Sequence, residues 1–295
     1  AFNSARAVTL NAGGGTVQVD NSAGATLSTG LAGLGGLTKS GTGTLSLSAS
    51  ASYSGATVIS QGTLKLLGQP VQPSGVVAAY RFNNSGILGQ DSSANGNTLV
   101  TASGAPAYDA NGKFSGALYL NGASTMNKGV AFPTGIPTGS SAYTVAAWVK
   151  ADTGCSLNGG WIGYGNNVYN QANNFRLDGT NNGVWEYWYN NDMNAKMASG
   201  TFFDGWHSVV GTWDGTTEII YIDGVSRATR TPAAPNVGTG IFVVGKTTAD
   251  TNFKGWVDDL LIANRALGPA EVQALMSPAA NTLPPILPPA DRPRR

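Results

Sequence analysis

The stretch NNGVWEYWYNND (residues 181–192) sets two Trp and two Tyr within five positions, with one carboxylate, Glu186, among them and amides on both sides. Glycoside hydrolysis needs two carboxyls flanking the scissile bond, one protonated and one ionised. The chain holds only three Glu: Glu186, Glu218 and Glu271. Glu271 falls in a short terminal helix pattern and Glu218 beside a hairpin turn. Glu186 is left alone on the aromatic segment, with Asp192 as its nearest downstream acid. His207, the single histidine, lies in the apolar strand GWHSVV and reads as a core or half-buried residue rather than a base. One His and one Cys (Cys155) rule out zinc sites built on those ligands. Intrachain disulfides are ruled out too. The expectation is therefore no enzyme.

Stacking is the chemistry that remains. On a strand, Trp185, Tyr187 and Tyr189 share one face while Glu186, Trp188 and Asn190 share the other. Three aromatics without an ion suit the inward face. Trp188 would then look outward between a carboxylate and an amide, a composition that stacks a sugar ring and binds its hydroxyls. Asn191, Asp192, Asn166 and Asn167 on neighbouring loops extend that ligand-binding set. The competing reading is that both faces simply fill a wide core.

The elements that position these residues follow from composition and period. Charged residues make up 11% of the 295, against about a quarter in an ordinary domain, while Gly reaches 41 residues. A turn-rich all-β chain with a polar, weakly ionic surface is expected. The net charge of +1 offers no basic field for nucleic acid. No apolar run is long enough to span a bilayer, so no membrane insertion is expected. The start, AFNSARAVTL, carries no signal-peptide pattern.

Three segments and a linker emerge. Residues 1–67 lack Trp, Cys, Met and Glu and repeat short alternating runs, GTVQVD, GTLSLSAS, ATVIS and GTLKLL, between glycine-rich corners. Stacked short strands with small residues read as a β-solenoid. Residues 68–75 form a linker. Residues 76–276 carry about ten aromatic-rich strands, and WDGTTEIIYIDGV brackets one of them with two Asp-Gly steps, a hairpin signal. That spacing predicts an antiparallel two-sheet sandwich. Residues 277–295 form a Pro-rich tail, expected to be extended.

Two resemblances sharpen this outline. GGLTKSGTGTLSLS, the Tyr-Ser-Gly at 53–55 and the closing GTLKL make residues 33–66 resemble the autotransporter-associated β-strand repeat of secreted bacterial passengers. That implies export, a right-handed β-helix and no catalytic residues. Five further phrases make residues 76–276 similar to laminin-G-like, concanavalin A-like domains. They are YRFNNSG…DSSANGNTL, SGALYLNG, YTVAAWVKA, GWHSVVGTWDG…IYIDG and GWVDDLLIANRALGPAEVQAL. This family implies a jelly-roll sandwich, frequent glycan binding and often a structural calcium. The closely spaced Glu-x-Asp-x-x-Glu of its retaining glucanases is absent here.

DSSANGN (91–97) has the oxygen-rich, bent character that suits Ca2+. By the resemblance, Asp91 and Asp258 would meet where the first and last sandwich strands pair. The plainer reading has Asp91 capping a turn and Asp258 and Asp259 making local hydrogen bonds. The function expected is a non-catalytic, extracellular or cell-surface, bacterial secreted structural or adhesion protein. It would self-assemble as a homo-oligomer or filament through its N-terminal β segment and tail, and display a sandwich that binds polysaccharide or surface glycan. A monomeric secreted carbohydrate-binding module is the alternative, and a glycoside hydrolase the remote one.

Overall fold

The computed structural model describes residues 2–4, 6, 8–27, 31–47, 51–53, 55–66 and 73–276. Residues 67–72 and the Pro-rich tail, 277–295, lie outside the described residues. Two compact units result, the second spanning Pro73–Met276.

The first unit is a three-faced parallel coil. Its first rung is β1 (Phe2–Ser4), β2 (Val8–Leu10) and β3 (Gly15–Gln18); the second is β4 (Ala25–Leu27), β5 (Leu31–Gly33) and β6 (Leu37–Ser40). The third is β7 (Thr44–Leu47), β8 (Ala51–Tyr53) and β9 (Thr57–Ile59), and β10 (Thr63–Leu66) begins a fourth. Like strands stack in parallel as β1-β4-β7-β10, β2-β5-β8 and β3-β6-β9. Ala25 stands beside Leu45 and Leu37 beside Thr57, so one rung takes twenty residues here. Leu10, Leu27, Leu31, Leu37, Leu45 and Leu47 fill the interior. The corners must be tight: Gly33 has φ +123°, and a Cβ there would run into the carbonyl oxygen of Leu10. Lys39 is fully buried, yet satisfied. Its ammonium donates to the carbonyls of Ser40 (2.5 Å), Gly41 (2.7 Å) and Gln61 (3.1 Å), tying one rung to the next.

The second unit is an antiparallel two-sheet sandwich. One sheet runs β13 (Ala107–Asp109), β14 (Ala117–Asn121), β25 (Lys254–Ala263), β16 (Tyr143–Ala151), β21 (His207–Trp213), β22 (Glu218–Ile222), β23 (Val225–Arg230), with β11 (Val76–Tyr80) also on β25. The other runs β12 (Val100–Ser103), β15 (Thr125–Asn127), β24 (Ile241–Val244), β17 (Gly160–Gly165), β18 (Ala172–Leu177), β19 (Gly183–Tyr187), β20 (Asp192–Lys196). The strands β23 and β20 thus form the edges of the two sheets at the same side of the sandwich, and they touch. Inward residues such as Tyr80, Val145, Trp161, Phe175, Trp213 and Val257 interdigitate between the sheets.

The Asp-Gly signal holds at Asp223-Gly224, where φ is +51° and +74°, the pair of positive values a type I′ hairpin requires. A short helix, α1 (Pro269–Ala274), covers part of the outer face of the larger sheet, burying Val272 and Leu275 against Val210, Tyr221 and Leu261. No helix among the described residues is long and apolar enough to cross a membrane.

Candidate binding surface

The aromatic strand β19 faces the opposite way from the expectation. Glu186 pairs with Phe175 on one side and Met193 on the other, both core residues, so Val184 and Glu186 point into the sandwich. Trp185 lies outward between Arg176 and Asn194, half-buried, with its ring N–H donating to the carbonyl of Asp178 at 3.3 Å. The strand then stops at Tyr187. Tyr189 and Asn190 adopt φ of +67° and +62° in a tight turn closed by Trp188 N–H to the Asn191 carbonyl at 3.2 Å. Trp188 therefore stays inward, fully buried, and only Asn190 of the expected outward set is exposed. Register belongs to a whole sheet, and the apolar residues of β18 and β20 outvote the local excess of aromatics. Glu186 and Trp188 are core residues and cannot touch a glycan.

What they build instead is a buried polar cluster. Glu186 Oε1 accepts from the Tyr143 hydroxyl at 2.6 Å, and that hydroxyl accepts from the Trp188 ring N–H at 2.8 Å. Trp188 meets Trp213 edge-on, centroids 5.3 Å apart. From the other sheet, Glu218 pairs with Arg230, whose guanidinium lies 5.1 Å from the Trp188 ring centre. Burial, and then the neighbouring Glu218 charge, push the Glu186 carboxyl well above the ordinary carboxylate range. Burial also raises Glu218, to about 7, against the pull of Arg230. Composition gave no hint that Glu218 would stand near Glu186, because a hairpin-flanking position looks solvated. Both carboxyls are sealed from solvent, so they offer no surface for hydrolysis.

Above this cluster three loops meet. Asn170 N–H donates to the Tyr189 carbonyl (3.0 Å), and its side-chain oxygen accepts from Asn191 (2.9 Å). Asn191 and Asn170 also reach the carbonyls of Ala233 (3.2 Å) and Ala234 (2.6 Å). Asn166 is engaged by Gln171 at 3.0 Å. The structure thus brings the expected Asn166, Asn167, Asn190, Asn191 and Asp192 to one end of the sandwich. Of these, Asn166 and Asn191 are spent on holding the loops, whereas Asn167 and Asn190 are exposed and make no side-chain hydrogen bond within the described residues. Between them rises Tyr169, 60% exposed, with Val168 beside it at 51%. Sequence reasoning missed Tyr169. Its signal was present in GNNVYNQ, an aromatic set among amides in a loop, where no core requires one.

Residues 121–273, more than half of the chain, match the family model described as the concanavalin A-like lectin/glucanases superfamily. The chain belongs to this superfamily. Residues 37–66 match the passenger-associated-transport-repeat, in agreement with the coil of the first unit. No curated protein matches. Among solved structures, the concanavalin A-like fold is shared with domain 4 of AbnA, a GH43 extracellular arabinanase from Geobacillus stearothermophilus, solved with arabinotriose. That likeness has 24% identity and TM-score 0.56, over 68% of this chain and 98% of that one. It is shared too with the binding domain of Paraclostridial Mosquitocidal Protein 1 (17%, TM-score 0.55, 68% of this chain and 52% of that one). The binding domain of botulinum neurotoxin serotype G is comparable (17%, TM-score 0.52, 68% and 50%). The chain spans about half the length of those two toxin domains. At such identities the likeness is one of fold.

Superfamily membership does not bring calcium to Asp91 and Asp258. Asp91 already accepts four hydrogen bonds: Ala79 N–H and Ser93 N–H on Oδ1 (both 2.9 Å), and the Ser93 hydroxyl and Asn97 N–H on Oδ2 (both 2.7 Å). A carboxylate has about four lone-pair directions, and here each has a donor. Asp258 is buried and takes the N–H groups of Lys113 (2.9 Å), Phe114 (3.4 Å) and Asp259 (2.7 Å). Donors crowd both oxygens where a cation would need bare lone pairs, and no cluster of three or more His, Cys, Asp or Glu fit for a metal occurs among the described residues. These residues do not fit calcium; Asp91 organises the 91–97 loop, as the turn-capping alternative supposes.

Proposed function

We propose that this is a non-catalytic, extracellular protein whose sandwich binds a neutral glycan at the loop end carrying Tyr169, Asn167 and Asn190. The supporting observation is the convergence of three loops that lift one aromatic ring into solvent beside amides with no internal partner. A neutral sugar offers an apolar ring face and hydroxyls that both donate and accept; a Tyr ring and carboxamides answer both demands. The transport-repeat match supports export, and the arabinotriose in the AbnA domain lends the glycan reading the weight of a shared fold. Tyr169→Ala should lower retention on a neutral polysaccharide matrix that holds the parent by about tenfold or more. As an exposed change it should move stability by no more than about 0.5 kcal/mol. Retention equal to the parent on every such matrix sinks the loop-end site.

Assembly is the second part of the proposal. The parallel rungs of the first unit stack strand on like strand, a geometry that a neighbouring molecule could extend head to tail. The 295-residue chain and a fragment spanning 73–276 should therefore sediment differently at equal concentration, the first as large regular particles and the second as a monomer. Two monomers would favour the other reading, a single carbohydrate-binding module, which the near-complete cover of the arabinanase domain also suits.

A further inference from the structure

The turn beneath the proposed glycan surface is held in a costly shape. Trp188 to Asn191 form a type I′ turn, for which Asn-Gly is the favoured central pair, yet the two left-handed positions are Tyr189 and Asn190. A Tyr in that region carries a backbone penalty, so something must hold it. Arg230, reaching across from β23, does so at four points. Its Nη1 donates to Asn191 Oδ1 and to the Asp192 carbonyl, both at 3.0 Å; its Nη2 donates to the Asn191 carbonyl at 3.1 Å; its plane lies against Trp188. Its Nε is taken by Glu218.

Arg230 is itself anchored in an electrically unbalanced place. Glu186 and Glu218 each use one oxygen, on Tyr143 and Arg230 respectively, and each has a second, buried oxygen without a hydrogen-bond partner. The charged and titratable groups facing the pair are Arg230 from β23, Asp192 from β20, Tyr143 from β16 and Tyr164 from β17. Asp192 in turn feels Arg230, Arg176 and Asp250. One guanidinium cannot balance two buried carboxylates, so the closed arrangement favours at least one of them neutral.

We infer that Arg230 is the positioning residue of the binding turn, and that a proton held by the Glu186–Glu218 pair sets its grip. When the pair loses that proton, the added charge seeks water. The shortest route lies between the edge strands β20 and β23, by releasing Arg230 from the turn. The surface would be organised at mildly acidic pH and loosened as pH rises through neutrality. This regulation rests on the loop-end reading for its purpose, but its physical content concerns the turn alone.

The test is amide hydrogen exchange on the full chain, without ligand, corrected for intrinsic rates, from pH 5 to pH 8. The reporters are the N–H groups of Trp188 and Asn170, which bond to the Asn191 and Tyr189 carbonyls. Opening lets water reach Glu186, whose carboxyl is held well above the ordinary range when closed, by burial and then by the Glu218 charge. Protection should fall as pH rises from 5 to 8, by at most about tenfold per pH unit for one proton released on opening. Glu218→Gln should flatten that slope. Arg230→Lys keeps the charge but loses the fork, and should lower protection at both amides across the whole range. A flat wild-type profile, an unchanged slope in Glu218→Gln, or undisturbed turn amides in Arg230→Lys overturns the inference. So does protection at the two turn amides as high as that at the amides of β16, which would mark opening by global unfolding alone. Failure to retain any glycan would leave these readouts intact and count only against the proposed function.

Discussion

Trp188→Ala should destabilise the sandwich by about 4 kcal/mol, within the usual range for emptying a buried Trp site, and lower its melting temperature by roughly 10 °C. Trp188 is fully buried, packs edge-on against Trp213, and is covered on one face by the Arg230 guanidinium. Its ring N–H also donates to the Tyr143 hydroxyl that holds Glu186. Removing the indole therefore opens a cavity and loosens a polar chain buried away from the surface. Trp185→Ala, on the same strand beside Glu186 but on the outer face, removes only a half-buried ring and should cost clearly less. Thermal melts of the two variants, run beside each other, test the orientation of β19 directly. If Trp188→Ala melts with the parent while losing glycan retention, the inward assignment is wrong and Trp188 is a surface platform after all.

That pair of tryptophans also marks where local sequence stops being informative. Strand positions, the Asp-Gly hairpin, the stacked rungs and the sandwich were legible because each depends on short-range period and turn chemistry, or on phrases spread over a whole domain. The facing of β19 depends on which residues of β18 and β20 stand beside it. Phe175, Leu177, Met193 and Ala195 are core residues, and their register carries Glu186 inward with them. A carboxylate on an inward face looks improbable in isolation. It becomes tolerable only once Trp188, in the adjoining turn, is joined by Tyr143 and the Glu218–Arg230 pair from strands distant in the chain. The amide loops were easier: Asn166, Asn167, Asn190 and Asn191 sit at strand ends, and strand ends of one sheet gather at a common rim. Aromatic density does not point to Tyr169, because exposure follows the absence of anything to pack against. Asp91 shows the reverse case, in which a loop composed like a cation site spends its oxygens on its own backbone.

The same buried acids give the sandwich an unusual stability profile. Two carboxyls are raised to about 7 in the folded chain, Glu218 and Asp258, each chiefly by burial. Glu186 and Asp259 are raised as well, by burial and then by the charge of a neighbouring acid. A carboxyl that binds its proton more tightly when folded stabilises the fold below its unfolded value and loses that contribution as pH climbs through its folded value. The window therefore runs from about 4 to about 7. A shift from 4.5 to about 7 at Glu218 corresponds to about 3 kcal/mol, and one from 3.8 to about 7 at Asp258 to about 4 kcal/mol. Carboxyls held low oppose this only at the acid end. Asp178 and Asp223 stay below the ordinary range because hydrogen-bond donors and nearby cations outweigh their burial; their contribution is lost below about pH 4. Stability should thus peak near pH 4–5, and the melting temperature should fall by on the order of 10–20 °C between pH 5 and pH 8. Glu218→Gln, which is neutral throughout, should remove the Glu218 share of that fall. Calorimetric melts across this range decide the matter, since a melting temperature that is flat or rising from pH 5 to pH 8 is incompatible with neutral acids in the core.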